Sequence, residues 1–149
     1  MVLAVQNRER AAVGVPPLVW NDALAAHAQD WVDRLLATGK IQHCFQTPGW
    51  EQIESCTHQE GENLAWRGGS PNTVPLAQMQ QGWISEKNNY HGGPYDDTQF
   101  ASQGVYGHYT AMVWLTTTDV GCATASGNNT DILSCRYTPP GNYNGALPY

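Results

Sequence analysis

Four cysteines constrain this chain most, because they fall as two near-neighbour couples, Cys44 with Cys56 and Cys122 with Cys135. Four cysteines admit three pairings, and neither couple has the Cys-x-x-Cys spacing of a zinc ribbon. The two local pairings are favoured, each closing a short loop worth roughly 3 kcal/mol in the chain-entropy picture. The competing reading is four buried free thiols in a reducing compartment. Disulfides point instead to a protein outside the cytosol.

A chain of 149 residues predicts one domain over 1–149, large enough to bury a core. Thirteen acidic against seven basic residues leave a net charge of −6, and no Lys/Arg cluster interrupts the sequence. Nucleic acid is therefore not an expected partner, since phosphate binding needs a concentrated positive patch. Anionic membrane surfaces are disfavoured for the same reason. The longest apolar run, Ala111 to Leu115, is too short to span a membrane. No signal peptide is visible, and Met1 directly before Val2-Leu3-Ala4-Val5 reads as a start that replaces a removed leader. Asn128-Asn129-Thr130 is an N-glycosylation sequon on a polar stretch, in keeping with secretion.

Residues up to about Val13 read as a helix that Gly14 and Pro16-Pro17 end. Asn21 is a helix cap for a second helix in which Leu24, Ala28, Trp31 and Leu35 recur at helical spacing before Gly39. The stretch 43–60 reads as irregular. A third helix is expected from about Pro75 to Asn88, with Leu76, Met79 and Trp83 on one face. Residues 90–107, rich in Gly, Pro, Asp and Tyr, predict a long loop of the kind that carries function. His108 to Trp114 alternates as a strand. Two more strands are expected around Cys122 and Cys135, with a turn at Gly127-Asn128, and the tail from Pro139 to Tyr149 has no regular pattern. Helices first and strands later, without regular alternation, indicate α+β or a three-layer sandwich.

Glu86 follows Trp83 by three and precedes Tyr90 by four, so it continues the apolar face of its helix. A carboxylate there needs a partner or a proton. His108 lies on the candidate strand, where a lone histidine is more often structural than a ligand. Signatures of zinc proteases, serine hydrolases, phosphate loops and dinucleotide folds are absent. His58-Gln59-Glu60 imitates half of a zinc deaminase motif, but no Pro-Cys-x-x-Cys follows.

Four stretches stand out together: Gly61-Glu62-Asn63-Leu64-Ala65-Trp66, the Trp83/Glu86/Asn89/Tyr90 pattern, Gly107-His108-Tyr109-Thr110-Ala111-Met112-Val113-Trp114, and Cys135-Arg136-Tyr137 with Pro139-Pro140-Gly141-Asn142-Tyr143. In this order they resemble the CAP superfamily of cysteine-rich secretory proteins, antigen 5 and class 1 pathogenesis-related proteins. Asn7-Arg8-Glu9-Arg10 and Pro17-Leu18-Val19-Trp20 fit as well, so the resemblance spans the chain in order. It implies an α-β-α sandwich around a mostly antiparallel sheet, and a cleft of two histidines and two glutamates. Carried over, Glu62, Glu86 and His108 match directly, and His43 is favoured over His58 as the fourth member. An extra stretch between His43 and Glu62 departs from relatives, with Cys44 and Cys56 stapling its ends. Tyr106 stands where relatives carry a further cysteine, and Arg136 where asparagine is common.

The resemblance implies an extracellular protein that binds sterol or other lipid in defence or virulence, with no established catalytic residue. The vehicle for that ligand would be the 90–107 loop through Tyr95, Phe100, Val105 and Tyr106, although Asp96-Asp97 indicates a solvated tip. Two imidazoles with two carboxylates suit zinc or another divalent cation, held weakly by His43 and His108 because well-formed catalytic zinc has three protein ligands. A zinc-dependent hydrolase or protease is the first alternative. The second is a precursor whose C-terminal tail is released as a signalling peptide.

Overall fold

A computed structural model of the protein describes residues 2–69 and 76–149, with only the backbone described at 76 and 77. Helix α1 spans Val2–Ala12, strand β1 Val19–Trp20 and helix α2 Asp22–Thr38. The Asn21 side chain caps α2 by accepting the N–H groups of Ala23 and Leu24 at 3.0 and 3.3 Å, and Gly39 closes it in a left-handed conformation. Leu24, Ala28, Trp31 and Leu35 are its buried stripe, as their spacing requires.

Strand β2 covers Gly61–Gly68, and the long hairpin β3 (Asp119–Gly127) and β4 (Thr130–Thr138) completes a sheet of order β1-β3-β4-β2. Among the described residues, only the β1–β3 pairing is parallel. The hairpin turns on Asn128 and Asn129, both left-handed, one residue beyond the expected Gly127-Asn128. One face of the sheet, with Leu133, Cys135 and Tyr137, packs under α1 and the helices of the middle of the chain. The other face, with Ile132 and Ala125, packs under α2 and the 44–56 segment. The result is the three-layer α+β sandwich expected from the resemblance. Both local disulfides form, Cys44–Cys56 and Cys122–Cys135.

Three local expectations change. The third helix is broken into α3 (Leu76–Met79), α4 (Gln81–Ser85) and a 3-10 turn at Glu86–Asn88; its expected first residue, Pro75, lies outside the described residues. The break falls at Gln80, whose buried amide oxygen accepts a bond from Gln6 Nε2 at 3.3 Å. The 90–107 stretch contains a 3-10 turn at Asp97–Gln99 and helix α5, Phe100–Gln103. Most consequentially, residues 108–114 are not a strand: Gly107–Val113 is helix α6. Tyr109 through Val113 are buried on every side of it, so no amphipathic period marks the sequence. Its ends are satisfied from afar. Glu86 accepts N–H groups of its first turn, and the Arg10 guanidinium donates to the carbonyls of Met112 and Trp114.

Candidate functional site

Glu86, half-buried, finds its partners on α6. Its Oε1 lies 2.6 Å from His108 Nδ1, while Oε2 accepts the backbone N–H of His108 at 2.9 Å and of Tyr109 at 3.2 Å. The indole of Trp83 stacks on the His108 ring, with centroids 6.2 Å apart and planes at 12°. The helical spacing that put Glu86 beside Trp83 thus places carboxylate and indole on one imidazole.

The second pair is Glu62 with His43. Glu62 is the second residue of β2, and its Oε1 lies 2.7 Å from His43 Nδ1. His43 is positioned as the residue before the 3-10 turn Cys44–Gln46, where its backbone N–H donates to the Gln46 side chain at 2.9 Å. His58, the rival candidate, instead stacks on Phe45 with centroids 4.6 Å apart and meets Trp50 edge-on. Asn63 joins the two pairs: it follows Glu62 in β2, and its amide donates to the carbonyl of His108 at 2.9 Å.

Sequence reasoning missed what lies beneath Glu62. Arg136, 1% exposed, faces Glu62 across the β2–β4 register, with Nε 2.9 Å from Glu62 Oε2. Its Nη1 lies 3.3 Å from Glu60 Oε2 and donates to the Ser55 carbonyl at 2.9 Å. Glu60 in turn meets His27 Nδ1 of α2 at 2.6 Å. A chain of ionisable groups therefore runs His27–Glu60–Arg136–Glu62–His43, buried at its three middle members and half-buried at its two histidines, and Ser55 binds the stapled 44–56 segment to it. The signal in the sequence is parity: Glu60 and Glu62 share a face once the chain from Gly61 onward is extended.

In both pairs the carboxylate oxygens are taken up. Glu62 Oε2 also accepts from Ser134 Oγ at 3.3 Å. An ionised carboxylate only accepts, so each neutral histidine carries its proton on Nδ1 and keeps Nε2 as a lone-pair donor. A carboxylate fixing the ring from behind in this way is also how histidines that bind metals are commonly held. Among the described residues, however, no group of three or more His, Cys, Asp or Glu converges to hold an ion. Each of the two histidines thus offers a single nitrogen of the kind that zinc and similar ions take, short of the three protein ligands of a catalytic centre.

The loop residues expected to meet a ligand are mostly turned inward. Tyr95 and Tyr106 are buried with Trp114 in an aromatic cluster, Phe100 packs partly against it, and Val105 is exposed. The tail causes this: Tyr95 exchanges backbone bonds with Ala146 and Gly145 at 2.8 Å, and Leu115 donates to the Pro148 carbonyl at 2.7 Å. A sizeable apolar concavity lies elsewhere, at the β3 edge between α1 and α2. It holds about 640 Å³ and is lined mainly by Val2, Leu3, Trp20, Ala25, Ala123 and Leu133.

The profile of the Cysteine-rich secretory protein family matches residues 3–137. Pathogenesis-related protein 1C of Nicotiana tabacum is 39% identical over 148 residues, which cover 99% of this chain and 78% of that protein. Pathogenesis-related protein 1 of Arabidopsis thaliana is 36% identical over 99% of this chain and 80% of its own length. Among solved structures, NaASP2 with Zn2+ superposes with a TM-score of 0.76 at 20% identity, covering 99% of this chain and 82% of that one. Na-ASP-1 gives 0.78 at 23% identity, and this chain spans 40% of it. At such identities the structural matches speak for the fold alone.

Proposed function

The chain belongs to the Cysteine-rich secretory protein family, and on that premise we propose an extracellular, non-catalytic protein that binds a sterol or other lipid. Defence or virulence is the setting that the pathogenesis-related relatives suggest. The observation that carries the non-catalytic reading is the engagement of both glutamates. Glu62 is held by His43, Arg136 and Ser134, and Glu86 by His108 and two backbone N–H groups, so every carboxylate oxygen already has a partner, which favours a role in orienting the imidazoles over general-base work. Two disulfides support an oxidising compartment. The lipid reading moves from the 90–107 loop to the apolar concavity beside β3, whose size is that of a small-molecule site. His43 and His108 would hold zinc or a similar ion weakly, and a bound ion would supply Lewis acidity there.

Fluorescent-sterol titration tests this reading on three proteins: wild type, His43→Ala/His108→Ala, and Ala123→Phe, which fills the concavity. Binding retained by the double histidine variant and lost in Ala123→Phe is the expected result. A wild type that binds no lipid would overturn it, as would zinc-dependent hydrolysis lost in both Glu86→Gln and His108→Ala. The tail-release alternative requires secreted protein ending before Tyr149, which intact mass spectrometry reads directly.

A further inference from the structure

The sequon lies at the end of the sheet remote from the cleft. Asn128 and Asn129 form the β3–β4 turn with φ of 49° and 57°, and both side chains are exposed. The turn is tied to the end of β2, since Gly69 N–H donates to the Asn129 carbonyl at 2.9 Å. Beside it lies a second concavity of about 440 Å³, lined among others by Asn128, Thr130, Leu36, Ile132 and Trp66. Trp66 is 60% exposed on the edge strand β2, an apolar ring that the cleft does not use. A large exposed indole sharing a hollow with a sequon asparagine calls for a partner with an apolar face and a polar rim. A pyranose ring is such a partner.

We propose that Asn128 carries an N-linked glycan whose first N-acetylglucosamine packs on the Trp66 indole. In the transfer, Asn128 Nδ2 loses one proton and bonds to C1 of the sugar of a lipid-diphosphate-linked oligosaccharide. The C1–oxygen bond breaks and the lipid diphosphate leaves; no oxidant or reductant is needed. Transfer requires the Thr130 hydroxyl and a residue other than proline at 129, and both conditions hold. The left-handed hairpin tip leaves the attached sugar outside the sheet, free of the core.

The inference rests on the extracellular reading, so the test carries its own control. The chain is secreted from a host that performs N-glycosylation, with a second sequon in a short C-terminal extension. Enzymatic deglycosylation in heavy-oxygen water then marks each modified asparagine as labelled aspartate. Label at residue 128, absent in Asn128→Gln and in Thr130→Ala, is expected. A labelled control with unlabelled Asn128 overturns the site while leaving secretion intact. For the packing, protein trimmed to one sugar is compared with unglycosylated protein from cells in which the transfer is blocked, which keeps Asn128. The single sugar should raise the folding equilibrium constant roughly fivefold in wild type and leave Trp66→Ala unchanged. Equal gains in the two proteins overturn the contact with Trp66.

Discussion

Arg136 and Glu62 stand opposite one another in the β4–β2 register, with guanidinium Nε 2.9 Å from carboxylate Oε2 and both side chains buried. Because Arg136 also holds Glu60, its removal leaves two buried carboxylates without their cation. Arg136→Met is expected to cost about 3–5 kcal/mol in urea unfolding. Adding Glu62→Gln to that variant should recover part of the loss, since one uncompensated charge is then gone. A cost below about 1 kcal/mol would show that the pair is solvated and contributes as a surface bridge does.

Zinc should stabilise the protein modestly and only through the two histidines. With zinc a hundredfold above its Kd, the Tm should rise on the order of 5 °C, and His43→Ala or His108→Ala should each remove most of the rise. A chelator added to the untreated protein should leave Tm unchanged, as the fold rests on its cores and disulfides. A zinc shift that survives in the double variant would place the ion elsewhere.

Alkali should expose the buried tyrosines. Burial, helped by Asp97, Tyr106 and Glu86, pushes the Tyr95 phenol up to about 12, and burial raises Tyr109 and Tyr137 as well. A raised folded-state value favours the neutral phenol in the folded protein. The corresponding stability is complete below pH 10, the ordinary value, and is lost as pH climbs towards 12. Between these limits each such tyrosine lowers stability by about 1.4 kcal/mol per pH unit. Tyr95→Phe should flatten the slope of unfolding free energy above pH 10 by about one proton. An unchanged slope would mean that Tyr95 ionises freely while folded.

Two glycines should respond oppositely to alanine. A Cβ on Gly121 would overlap the backbone of Ala25 and Asn21, where α2 starts across β3. Gly121→Ala is expected to cost about 3 kcal/mol or more. Gly82, in α4, has open space around its missing Cβ, and alanine there should gain roughly 0.5–1 kcal/mol. Chemical denaturation of the two variants compares them directly. A Gly121→Ala protein as stable as wild type would show that α2 can withdraw from the sheet.

Local chemistry carried much of this molecule. The cap at Asn21, the stripe Leu24–Ala28–Trp31–Leu35 and the close at Gly39 define α2, each about a turn from the next. Cysteine spacing carried both staples, and motif order carried the family and its layered sandwich. Glu86 announced itself by sitting on an apolar face. What only tertiary structure decided is who satisfies whom. Helix α6 depends on Glu86, 22 residues away from His108, and on Arg10, 102 residues from Met112, so its local alternation imitates a strand. Tyr95 and Tyr106 face inward because the tail bonds across them. The Glu62–Arg136 pair exists because β2 and β4 meet in one register among several. Capping and periodicity are written in neighbouring residues, whereas the charge network forms only where the folded sheet and helices bring distant residues together.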